Sequence, residues 1–380
     1  MDRIDTNTIR SHIAYLAHDD LKGRLPGTEG FQLAVDYVTK QFREMGVKPG
    51  GDGGGFVQKL VLRRSVLQNQ TALAVLADDS GNRDTLEFRK LFSPMPHPLT
   101  AKTSVSAPLV FAGYGVDIPG VYSDYEGVNV QGKIVVMITG APGGLHSTLT
   151  AHFSNTGNKL NTAASKGAVG AIIVNLNART PGNVDAVIQS NVAMNPGKTI
   201  AYGRGFTGNL QVVLNGNHAL LLKLFMGSGK NMGRALAELR EKKPASFELP
   251  NRMKIAYETV HHDYESYNVV GLIEGSDKKL KKEYVVHSAH LDHMGISRAV
   301  NGDSIYNGAH DNASGVASLL EIARLYKKSK AKPKRSILVV MVTAEEMGLL
   351  GSSYFAANPT VPRNSIVANV NTDMPTLIAP

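Results

Sequence analysis

The sequence predicts an α/β fold, a sheet of parallel type flanked by helices, with a smaller separate domain set into the middle of the chain. Three observations carry this. The run Ile337 to Val342 is apolar, rich in β-branched residues and lacks internal alternation, as expected of a strand covered on both faces by helices. Strand-like and helix-like stretches alternate around it, from "YNVVGLIEG" through "KEYVVHSAHLDH" and "NASGVASLLEIARLYKK". Before them, from Phe56 onward, the pattern changes to short strands with helices of their own.

Taken in order, two helices are expected between Ile9 and Met45, broken at "LKGRLPGTEG". The second carries an apolar stripe at Phe31, Ala34, Val35, Val38 and Phe42, spaced three and four apart, with Tyr37 off the stripe and Gly46 as C-cap. Short strands follow in "FVQKLVL" and "TALAVLA". A second region opens near Ala101, with strands in "APLVFAGYGV", "GKIVVMITG" and "GAVGAIIVN" and a helix over "KLNTAASK". Helices over "HALLLKLF" and "NMGRALAELREKK" take it to a proline-flanked break at "PASFELP", Pro244 to Pro250. The boundaries read as 1–100, 101–250 and 251–380.

At 380 residues and 42% hydrophobic content the chain has the length and composition of a globular protein of one large or two smaller domains. It has no cysteine, which excludes disulfides, thiolate metal sites and cysteine nucleophiles, so any metal must be held by His, Asp and Glu. The net charge of +9 is scattered. Its short clusters, such as "KKLKKE" and "KKSKAKPKR", suit solvated surface better than a nucleic-acid site. No apolar stretch reaches the roughly 18 residues of a membrane span, and the first twenty residues lack the plan of a signal peptide.

Metal-binding side chains recur at strand ends in the last stretch. His290 and Asp292 follow an apolar run, Asp311 opens a helix, Glu345 and Glu346 follow Val342, and Asp373 ends "IVANVNTD". Singly, each has a bland reading: Asp311 could be an ordinary N-cap, and a lone histidine is usually structural. Four in succession point to a carboxylate-rich centre suited to a zinc pair, or to manganese or cobalt. Adjacent glutamates can divide the remaining roles, one as ligand and the other as base for the attacking water.

The motifs "SAHLDHMG", "GAHDNASG", "TAEEMGLLGS" and "NVNTDMP", with their spacing, resemble the co-catalytic zinc aminopeptidases, peptidase family twenty-eight of the metallopeptidases, which also holds glutamate carboxypeptidases and glutaminyl cyclases. "YLAHDDLKGRLPGTEG" is similar to the start of many members, and the middle region resembles the protease-associated domain inserted in some of them. The resemblance implies a mixed, mostly parallel sheet of zinc exopeptidase type with a β-rich protease-associated insertion. It makes Asp311 the bridging ligand, His290 and Asp373 its companions at one of two zinc ions, Glu346 a ligand of the other, Glu345 the general base, and Asp292 the residue that orients His290. It further implies a peptide substrate, no nucleic-acid partner, no membrane span, and secretion or a periplasmic location.

Two departures stand out. His310 takes a place where relatives often carry an acid. The family completes its second metal site with a histidine well beyond the last aspartate, and no residue up to Pro380 takes that place. The chain is therefore expected to lack the end of its catalytic domain, to hold about one zinc tightly and to be poorly active. The function expected is a metal-dependent exopeptidase, foremost an aminopeptidase. The alternatives are a glutaminyl-cyclase-type acyltransferase and a non-enzymatic, receptor-like binding module.

Overall fold

The computed structural model describes residues 4–78, 80–178, 190–194, 202–203, 206, 208–329 and 332–375. Parts of the expected 101–250 domain lie outside these residues. The chain divides into two compact units, one of residues 1–62 with 264–380 and the other of residues 63–263.

The first unit begins with α1 (Thr6–Leu16), whose N-cap Asp5 accepts the backbone N–H groups of Asn7 and Thr8, both at 3.1 Å. A 3₁₀ segment, Asp19–Arg24, forms the expected break before α2 (Glu29–Glu44). The stripe Phe31, Ala34, Val35, Val38 and Phe42 is buried. Gly46, at φ +66° just past the cap, ends α2.

The sheet of this unit uses the end of β1 (Phe247–Ile273), then β2 (Tyr284–His290), β3 (Ser336–Val342) and β4 (Ile366–Asn371). β1 pairs with β3 antiparallel, from Val269↔Met341 to Ile273↔Ile337. β3 pairs with β2, and β2 with β4, both parallel. The crossovers run through α3 (Ser314–Lys328) and α4 (Leu350–Ala357). The uninterrupted apolar run of β3 now has its cause. Ile337, Val339 and Met341 join a core with residues of α1, α2 and α3, while Leu338, Val340 and Val342 join another with Phe355 of α4. Because β2, β3 and β4 are parallel, His290, Val342 and Asn371 end on the same edge. That is where open α/β sheets bind ligands.

The second unit has its own sheet, in which Lys102–Phe111, Ile134–Ile138, Gly170–Asn175 and Val212–Asn217 follow one another in spatial order. Helices Thr156–Ser165, His218–Phe225 and Met232–Arg240 fall where the sequence places them. Leu73–Ala77 pairs with β1, and Phe92–Pro94 with Val212–Asn217, so residues before Ala101 belong to this sheet.

The expected break at Pro244 to Pro250 is not one. β1 begins at Phe247 and continues for 27 residues. Its register against Lys102–Phe111 shifts between Glu248 and Arg252, and Pro250 falls inside that irregularity, where its missing N–H costs no ladder bond.

Candidate metal centre

Four loops leave the common edge of the first sheet, and each carries predicted residues. After β2, His290 is almost fully buried at 3% exposure. Its Nδ1 lies 3.0 Å from the main-chain carbonyl of Asp292, which fixes the ring with Nε2 facing the site. The Asp292 carboxylate is more distant, with Oδ1 3.9 Å from that nitrogen. It instead accepts the backbone N–H groups of Glu345 at 3.1 Å and Glu346 at 3.4 Å. Asp292 thus ties the end of β2 to the glutamate loop and holds His290 through its backbone.

After β3 the chain turns sharply. Ala344, fully buried, has φ +52°, a region that side-chain-bearing residues seldom adopt. The turn is closed by Leu350 and Gly351 N–H groups on the carbonyls of Ala344 and Thr343, both at 3.0 Å. Asn268, also fully buried, accepts the Thr343 N–H at 3.0 Å and donates to Gln58 and to the Gly351 carbonyl. Gly351 is required here, since a Cβ would lie 2.1 Å from the Thr343 carbonyl oxygen.

Before α3, Asn312 is buried and joins two loops. It accepts the N–H groups of Gly315 at 3.0 Å and Met374 at 3.2 Å, and donates to the Thr372 carbonyl at 3.0 Å. Asp311 and Asp373, on either side of this clamp, are both 37% exposed.

Arg24 supplies a second clamp from the N-terminal segment. Its guanidinium is 1% exposed and donates to the carbonyls of Leu291 at 2.9 Å, Asn307 at 2.7 Å, Gly308 at 3.1 Å and Leu16. Burial pulls its pKa down to about 10, opposed by Asp292 and Asp311. It remains a cation, and it holds the loops bearing Asp292 and Asp311 through their backbones.

The result is a gathering of donors. His290, Asp311 and Asp373 offer one ligand atom each within 4.8 Å of one another, and so do His293, Asp311 and Glu346. His290 Nε2 stands 2.9 Å from Asp311 Oδ1 and 3.4 Å from Asp373 Oδ1, yet it makes no aligned hydrogen bond and is buried. A buried imidazole nitrogen of this kind, beside carboxylates, suits a divalent ion, and nitrogen with oxygen donors suits zinc.

Glu345 is half-buried beside the cluster. Burial raises its pKa, as do Glu346, Asp373 and Asp311, with His290 opposing. At His290, burial resists protonation, but Asp292, Glu345, Asp373 and Asp311 outweigh it and raise its pKa. For Asp292, full burial pushes the pKa up to about 7, against His290 and the two glutamate N–H groups.

All six predicted site residues therefore meet at one edge. The sequence reading missed His293, Arg24 and Asn312. All three lie inside motifs already singled out, but a one-dimensional pattern does not tell a ligand or a clamp from its neighbours.

Residues 268–377 match the model of peptidase family M28, and residues 105–201 match that of the PA domain. Aminopeptidase NAALADL1 of Mus musculus is 37% identical over 117 residues, covering 29% of this chain and 14% of its own. A probable zinc metalloprotease of Pyricularia oryzae is 38% identical over 89 residues, covering 23% of this chain and 17% of its own. The matched stretch thus spans less than a fifth of either relative. Among solved structures, the aminopeptidase from Aneurinibacillus sp. strain AM-1 is similar with a TM-score of 0.52 at 19% identity, over 98% of this chain and 71% of that one. This is a likeness of fold.

Proposed function

From a chain whose residues 268–377 match the model of peptidase family M28, with a match to the PA domain ahead of them, we propose a metal-dependent exopeptidase, an aminopeptidase, that hydrolyses terminal peptide bonds. The observation that carries the proposal is the convergence of His290, Asp311, Asp373 and Glu346 on one sheet edge, with Glu345 beside them. Zinc is the ion proposed, in keeping with the similarity to the probable zinc metalloprotease of Pyricularia oryzae. Manganese or cobalt could use the same donors.

His290, Asp311 and Asp373 would hold one ion, and Glu346 with Asp311 would take part in holding a second. When bound, the ions supply Lewis acidity that polarises the scissile carbonyl and acidifies water to a pKa of about 7. The chain supplies the rest. Glu345, as general base, takes a proton from the attacking water as the new C–O bond forms, and passes it to the leaving amine as the C–N bond breaks. Asp292 and the closed turn at Ala344 hold that carboxylate in place through its own backbone N–H. Asn312 fixes the loops of Asp311 and Asp373.

The protease-associated insertion, expected over 101–250, we place within the unit of residues 63–263, with parts of the peptidase before and after it. The substrate is a peptide, and the location proposed is secreted or periplasmic. Among the described residues no helix is long and apolar enough to cross a membrane.

The proposal is tested by incubating the protein with aminoacyl nitroanilides and their N-acetylated counterparts. Release from the free-amine substrates alone, abolished by a chelator and restored by zinc, is the expected result. Chelator-insensitive release, or none after zinc loading, would sink it.

A further inference from the structure

We propose that the basic loops at the edge of the first sheet opposite the metal donors form a docking surface for an anionic phospholipid bilayer. In the sequence, residues 274–283 and 327–335 hold ten cations against three acids, a net of +7 out of the chain's +9. The fold brings these two runs together. The proposal concerns where the protein sits and stands apart from the peptidase reading.

Residues 274–283 lead into β2, and residues 327–335 close α3 and lead into β3. Because those strands are parallel, both runs lie where the strands begin. Backbone bonds stitch them to each other. The N–H groups of Ser276 and Asp277 donate to the carbonyls of Pro333 at 2.8 Å and Lys334 at 3.3 Å, and the Ser336 N–H donates to the Glu283 carbonyl at 3.0 Å. The Ser336 hydroxyl donates to the Lys281 carbonyl at 2.6 Å and accepts the Gly275 N–H at 3.0 Å. A Cβ at Gly275 would strike the Lys334 carbonyl oxygen, so this close approach needs glycine.

The acids here are already engaged. Glu274 pairs with Lys48 and Lys281, Glu283 pairs with Arg335, and Asp277 accepts the N–H groups of Lys279 and Leu280, both at 2.8 Å. Left over are Lys278, Lys279, Lys282, Lys328, Lys332 and Lys334, all exposed, and among the described residues none of the six forms an ion pair. The dipole of α3 accounts for Lys328, in its last turn, and for Lys332, which donates to the Lys327 carbonyl at 2.9 Å. It does not account for the other four. A surface that needed only solubility would intersperse its signs, as happens where Lys90 pairs with Glu87.

A bilayer of anionic headgroups fits this chemistry. Lysine is a compact, hydrated point charge, which gains from a dense field of phosphates without bidentate contact. Clusters of about four to eight such side chains bind anionic lipid, each worth about fivefold in partition. Nucleic acid fits less well. The one arginine of the two runs is held by Glu283, and the flanking Tyr284 and Tyr326 pack against the cores of the sheet instead of standing free to stack on bases. Docked in this way, the protein keeps the seven residues of β2, about 20 Å of strand, between lipid and donors, so the donor edge faces away from the bilayer.

Co-sedimentation of the full chain with vesicles tests this, using an equal mixture of phosphatidylglycerol and phosphatidylcholine beside pure phosphatidylcholine. Wild type is expected to bind the mixed vesicles at about 0.1 M salt, to leave them at about 1 M, where screening shortens to about 3 Å, and to ignore pure phosphatidylcholine. Lys279→Gln, Lys282→Gln and Lys334→Gln combined should weaken binding by about 100-fold with an unchanged thermal transition. Lys40→Gln, Lys230→Gln and Lys254→Gln combined remove the same charge from exposed positions elsewhere, and should bind as wild type does. Equal loss in the two variants would reduce the effect to net charge and overturn the assignment. Binding to pure phosphatidylcholine, or none to the mixed vesicles, would overturn it as well. A duplex oligonucleotide bound more tightly than the vesicles, and released by the same three substitutions in the patch, would give the surface to nucleic acid instead. None of these readouts uses turnover, so the peptidase reading stands or falls separately.

Discussion

Glu345 differs from its neighbour in what it is asked to do, and substitution can separate the two. With its backbone held by Asp292 and its carboxylate outside both donor triplets, Glu345→Gln should lower kcat by about 10²-fold or more while bound zinc stays unchanged. Zinc lost along with activity would show that it is a ligand. Arg24 offers a different test. Four backbone carbonyls depend on its guanidinium, and each buried acceptor left unpaired costs about 1–3 kcal/mol. Arg24→Met should therefore destabilise the metal-free protein by about 3 kcal/mol or more in denaturant unfolding, and weaken zinc binding because two ligand-bearing loops loosen together. Unchanged unfolding would mean that water replaces the guanidinium. The carboxylates and His290 were legible because titratable side chains at successive strand ends are rare. Arg24 and Asn312 were not, because what they hold is backbone brought together only by the fold.

The elements explain why the sequence reading succeeded where it did. β3 is apolar throughout because each of its faces meets a separate core, and α2 shows a single stripe because only one of its faces is buried. Periodicity reports the number of buried faces, so both could be read directly. β1 could not, since prolines are strong punctuation in a sequence and Pro250 is absorbed by a register shift that only the partner strand reveals. The turn after β3 makes its own prediction. A Cβ at Gly351 would press on the main chain at Thr343, which cannot swing aside as a side chain could. Gly351→Ala should cost about 1–3 kcal/mol and lower kcat as Glu345 moves, measured by thermal unfolding and steady-state kinetics. Full activity with unchanged stability would show that the turn relaxes freely.

For the whole molecule, the division into two units at 62/63 and 263/264 leads to a fragment experiment. Residues 63–263 keep Leu73–Ala77 and Phe92–Pro94 with the strands they pair with, and contain none of the proposed ligands. This fragment should fold without metal, with cooperative unfolding and no peptidase activity. The shorter piece 101–250 loses both strands and most of β1, and should aggregate. A cooperative transition in the shorter piece would place the boundary where the sequence alone puts it. The outer boundaries were hard to read because short strands look alike whichever sheet they join.

The first unit is assembled from residues on either side of the second, 1–62 and 264–380, and this has a consequence for its synthesis. α1 and α2 leave the ribosome before β2, α3 and β3, which complete their core and follow only after residues 63–263. At about 5–20 residues per second, the nascent helices wait on the order of 15–60 s, from the end of α2 at Glu44 to the end of β3 at Val342, with Phe31, Val35, Val38 and Phe42 lacking their final partners. During that interval the stripe on α2 stands without those partners, and all of residues 63–263, a compact unit of their own, are made before the first unit can close.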